Sequence, residues 1–120
     1  MPWDDMNPEQ KAETEFCVFK APEWGFRAMA KILLTYAEAH FVKTIAEAIT
    51  RWAPPSENDT AAYIARVCEL TGIGPNAKVD FHSYKDAFPI IKAIAEQECG
   101  GWMFTNEELI SGLALADIKP

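Results

Sequence analysis

The sequence predicts a mainly α domain, a compact bundle of about five helices (residues 25–120) behind an extended N-terminal arm (residues 1–24). Three observations predict it. Apolar residues recur at helical spacing from Phe26 to Leu115, the stretch before Pro22 alternates polar and apolar residues instead, and proline or glycine breaks separate the periodic segments at short intervals. With 120 residues, 49% of them hydrophobic and 12% aromatic, the chain can bury one core and is too short for two ordinary domains, so residues 1–120 read as a single domain.

Each element has its own signal. Glu15-Phe16-Cys17-Val18-Phe19 alternates like a short strand or extended arm, closed by Pro22. Phe26, Met29, Leu33 and Tyr36, with Ala30 and Ala37 beside them, make one apolar stripe on a first helix that reaches about His40. A second helix is expected over about residues 42–53. It must stop by Ala53, because Pro54 and Pro55 each push the preceding residue out of the helical region. Asn58 or Asp59 then caps a third helix from about Thr60 to Leu70, with Ile64, Val67 and Cys68 inward, broken by Gly72 and Gly74. Val79-Asp80-Phe81 is long enough only for a lone extended piece or a helical turn. The fourth helix starts either at Ser83, which with Asp86 resembles a capping box, or near Ala87, with Pro89 in its first turn. It ends at Gly100-Gly101, with Glu96 and Glu98 in its last turn, where carboxylates meet the negative end of the helix dipole. Thr105-Asn106-Glu107-Glu108 is a clearer capping box, opening a fifth helix that carries Leu109, Ile110, Leu113 and Leu115 to Asp117.

Charge and cysteine usage narrow the partners. A net charge of −7, with eleven scattered Lys and Arg, argues against a phosphate backbone, so no nucleic-acid partner is expected. No apolar run approaches the roughly 20 residues of a membrane span, and the acidic start Met1-Pro2-Trp3-Asp4-Asp5 does not resemble a signal peptide. Cys17, Cys68 and Cys99 are odd in number and widely spaced; three reduced thiols in the cytoplasm are expected, and with only His40 and His82 to add, neither a metal site nor a cofactor is indicated.

The stretch Trp52 to Thr60 gathers an aromatic ring, a rigid turn, the acids Glu57 and Asp59, and a helix start, so it reads either as a corner between helices or as part of a site. Together with Phe16 to Ala30 and with Ile91 to Gly100, it gives the chain a resemblance to a family of small tailed-phage and prophage proteins. That family is described as virion structural proteins distantly similar to lysozyme-like cell-wall hydrolases. Two departures stand out: the family's Asn-Asn-Pro-Gly-Asn-Ile-Arg segment is replaced here by Met1-Pro2-Trp3-Asp4-Asp5-Met6, and Cys99 stands where the pattern Glu-Asn-Gly has asparagine.

The resemblance implies a lysozyme-like fold and leaves two classes of function open. In one, the chain cleaves peptidoglycan glycan strands as a muramidase or lytic transglycosylase. Such chemistry needs a carboxylic acid held protonated near neutral pH and aromatic faces for sugar rings. Glu98 is the candidate general acid, because an apolar helix end beside a Gly-Gly turn should raise its pKa; the competing reading is a solvated residue at a helix end. Trp52, Tyr63 and Trp102, with Trp24, are candidate platforms, though core packing explains such rings equally. Glu57 and Asp59 are candidate substrate-binding or second carboxylates, or simply caps. Arg27, Arg51 and Arg66 are candidates for a peptide carboxylate or for surface ion pairs. In the other class, a non-catalytic phage protein made in the host cytoplasm keeps the fold to engage a virion or host protein.

Overall fold

A computed structural model describes residues 22–120 apart from Glu57 and Met103. Among them the protein is all-helical: α1 (Pro22–His40), α2 (Ile45–Trp52), α3 (Thr60–Thr71), α4 (Tyr84–Cys99) and α5 (Asn106–Leu115).

The expected boundary of the arm is corrected. Pro22, Glu23 and Trp24 form the first turn of α1. A proline at a helix start has its φ already set and lacks only an N–H that would have no intrahelical acceptor, so the ring expected to close an arm opens a helix. The arm itself, residues 1–21, lies outside the described residues.

Phe26, Met29 and Leu33 of α1 are buried, as their spacing predicts. They meet Ile45 and Ile49 of α2, Val67 of α3, Ile90 and Ile94 of α4, and Leu109 and Leu113 of α5 in one core. The most extensive helix contact joins α1 to α5, followed by α3 to α4 and α2 to α3. Gly112 makes the first of these close: a Cβ there would stand 2.5 Å from Phe26 Cβ and 2.7 Å from the Glu23 carbonyl oxygen.

Helix α2 begins three residues later than expected because Thr44 caps it. The Thr44 hydroxyl accepts the Glu47 N–H at 3.1 Å, and Glu47 Oε1 accepts the Lys43 N–H at 3.1 Å. Helix α4 begins at Tyr84, but Ser83 makes no side-chain capping bond. Asp86 turns outward to accept the Asp80 N–H at 2.8 Å, so the capping box read at Ser83 does not close. The box at Thr105 and Glu108 forms in both directions. Val79 and Asp80 lie in an irregular connection tied to the entry of α2 by Val79 N–H donating to the Lys43 carbonyl at 2.8 Å.

Candidate functional site

The corner between α2 and α3 is where the sequence concentrates its turn chemistry, and side chains hold it closed. Ala53 ends α2, its N–H donating to the Ile49 carbonyl at 2.7 Å. The Thr60 hydroxyl reaches back to the Ala53 carbonyl at 2.5 Å, and Asn58 Nδ2 donates to the Pro54 carbonyl at 3.3 Å. Of the two expected caps it is Asp59 that serves, its Oδ1 accepting the Ala62 N–H at 3.1 Å. With α2 and α3 so tied, residues eleven apart in sequence meet: Trp52 Nε1 donates to the Tyr63 hydroxyl at 3.1 Å. Both side chains are buried, Trp52 being 3% and Tyr63 7% exposed.

Helix α4 brings the third member. Packed along α3, it delivers Glu98 close to this pair, where both Trp52 and Tyr63 favour its charged form. Burial is the largest influence on the Glu98 carboxyl and pushes it above the ordinary carboxylate range, against the opposite pull of charged and polar neighbours. Burial, followed by the neighbouring Glu98 charge, pushes the Tyr63 phenol well above its ordinary value, so it stays a neutral hydroxyl.

Glu98 is half-buried, whereas its two partners are nearly sealed. Beyond it the chain turns away through Gly100 at φ 72° and Gly101 at φ 154°, conformations that favour glycine. Among the described residues, a Cβ at either position would meet no heavy atom within 4 Å. The other last-turn acid, Glu96, is offset differently: Arg66 of α3 stands 3.9 Å from it and 3.2 Å from Glu69.

The other expected site residues that are described make contacts of their own. Asp59 is committed to its capping bond one turn before Tyr63. Trp102 packs into a three-ring cluster, its centroid 5.9 Å from that of Phe26 and 5.7 Å from that of Phe104, with Lys92 Nζ 5.0 Å above its ring. That is core and cation–π packing. Trp24 is exposed with the Arg27 guanidinium 6.0 Å from its ring. Glu57 lies outside the described residues. Arg51 lines a concavity of about 470 Å³ with His40, Glu47 and Thr50, and a second of about 360 Å³ lies between α3 and α4 at Leu70, Phe88 and Glu96.

The thiol expectation is corrected at Cys99. Cys68 is a free, half-buried thiol packed against the core, but Cys99 is disulfide-bonded. An odd count leaves room for one pair, and wide spacing in sequence does not prevent closeness in space; the thiols therefore no longer support a reducing compartment. Among the described residues no cluster of three or more His, Cys, Asp or Glu is placed to hold a metal ion, and no helix is long and apolar enough to cross a membrane.

No family model matches the chain. Protein P5 of Pseudoalteromonas phage PM2 is 38% identical to it over 104 residues, which make up 87% of this chain and 63% of P5. The chain is thus homologous to a phage protein and spans somewhat under two thirds of its length.

Proposed function

From homology to a phage protein as premise, we propose that the chain is a lysozyme-like phage domain that acts on the bacterial cell wall, with Glu98 as general acid in cleavage of a peptidoglycan glycan strand. The observation that carries this reading is the setting of Glu98, a carboxyl drawn out of water far enough to hold its proton more tightly than a solvated acid. Breaking a glycosidic bond requires a proton on the leaving oxygen as the bond to the sugar ring opens, and a carboxyl that is still protonated near neutral pH can supply it. Asp59, at the start of α3, is the described candidate for the second carboxylate.

A specific observation supports the second reading, a non-catalytic phage protein that engages a virion or host protein. Trp52 and Tyr63 are buried, and Trp102 packs within its aromatic cluster, so these rings are less free to stack on sugars than a binding platform should be. Purified peptidoglycan, incubated with wild type and with Glu98→Gln, separates the two. The enzyme reading expects soluble muropeptides from wild type and a loss of at least a hundredfold in Glu98→Gln, in line with the usual contribution of a general acid. Absence of release by folded wild type, or equal release by the variant, favours the binding protein.

A further inference from the structure

The chain has three cysteines, Cys17, Cys68 and Cys99. Cys68 carries a free thiol on α3, whereas Cys99, the last residue of α4, is disulfide-bonded. A disulfide needs a second sulfur, and with Cys68 free the sulfur left within the chain is that of Cys17.

Geometry agrees with this elimination. Cys17 stands five positions before Pro22, the first residue of α1. Bridged cysteines keep their α-carbons about 4.4–6.8 Å apart, and five peptide steps reach at most about 17 Å. The pairing therefore requires the end of α4 to lie near the start of α1, and it does. Trp102, just beyond Cys99, has its ring centroid 5.9 Å from that of Phe26 in the second turn of α1. The free thiol is placed differently. Arg66 stands 3.9 Å from Glu96, and Leu70 shares a concavity with Phe88 and Ala93, so α3 runs antiparallel to α4. Cys68, between Arg66 and Leu70, is level with the middle of α4 and short of its end.

We propose that Cys17 and Cys99 form a disulfide that fastens the segment before α1 to the end of α4, next to Glu98. The pairing stands whether or not Glu98 is an acid catalyst. As the S–S bond forms, both S–H bonds break; two protons pass to solvent and two electrons to an oxidising disulfide, small or protein-borne, which becomes two thiols. Such oxidants do not prevail in a reducing cytoplasm, so the cross-link belongs to the chain outside one. The closed loop runs from residue 17 to residue 99 and takes in α1 to α4. Closing so long a loop restricts the unfolded chain far more than the folded one. It also holds the last turn of α4, which carries Glu98, against fraying.

Trypsin places the three cysteines on separate peptides, residues 12–20, 67–78 and 93–120. The full chain, kept in oxidised glutathione, alkylated at its free thiols and digested without reductant, should yield peptide 12–20 joined to peptide 93–120, with Cys68 alkylated. An alkylated Cys99, or Cys99 joined to Cys68 or to a second copy of the chain, overturns the proposal. Cys17→Ser should expose Cys99 to alkylation and lower the thermal midpoint by roughly 10 °C. Reductant should bring wild type to that same midpoint and leave Cys17→Ser where it is. A variant as stable as oxidised wild type, or a wild type indifferent to reductant, overturns the proposal as well. If Cys17→Ser does not fold, the peptide map of wild type decides alone.

Discussion

The Glu98 carboxyl ionises less readily in the folded chain than at its ordinary value of 4.5, and this links stability to pH. Between 4.5 and its higher folded value, the native state holds a proton that the unfolded chain has released. Stability contributed by Glu98 is therefore fully present below about pH 4.5 and is lost as pH rises through the folded value. Glu98→Gln, which has no proton to release in this range, removes this dependence. Its denaturation midpoint should lie above that of wild type at pH 7, with the gap closing toward pH 4, measured by denaturant titrations across that range. The candidate acid was legible from its place where an apolar helix meets Gly100-Gly101. The Trp52–Tyr63 hydrogen bond was not, because it depends on how α2 and α3 close around Pro54-Pro55, a distance that no local spacing encodes. Trp102 looked accessible for a related reason: a ring in a loop reads as free until Phe26, on a distant helix, is seen to pack against it.

At the scale of elements, two similar sequence signals have different outcomes. Thr105-x-x-Glu108 closes into a reciprocal box, with bonds of 3.1 Å and 2.8 Å. Ser83-x-x-Asp86 does not, since Asp86 finds the Asp80 N–H first. Thr105→Ala should thus lower stability by about 1 kcal/mol, while Ser83→Ala should change it by no more than a few tenths. Urea midpoints on the two variants test the contrast, and equal losses would show that the caps are equivalent after all. A pattern of residue types says which side chains are able to cap; the competing partner sits in the preceding loop and is fixed only by the fold. Pro22 carries the same lesson, since one ring suits both the end of an extended segment and the first residue of a helix. The helices with sustained 3.6-residue spacing were legible throughout, because a continuous apolar stripe has few other ways to be buried.

The whole molecule is held together by its first and last described helices. Gly112 lets α5 settle onto the first turns of α1, and the Glu23 backbone oxygen at 2.7 Å from a would-be Cβ cannot swing aside as a flexible side chain would. Gly112→Ala should therefore cost about 1–3 kcal/mol, read from a thermal or denaturant midpoint, with the loss coming from the α1–α5 contact and not from helix propensity, which favours alanine. A gain in stability would mean that the two helices separate easily. The same closure bears on a chain still being translated. Phe26, Met29 and Leu33 emerge from the ribosome well before Leu109 and Leu113, and at about 5–20 residues per second the greasy side of α1 waits on the order of ten seconds for its cover. Nascent chains stalled before α5 should recruit holding chaperones or stick to one another, whereas chains released after it should not.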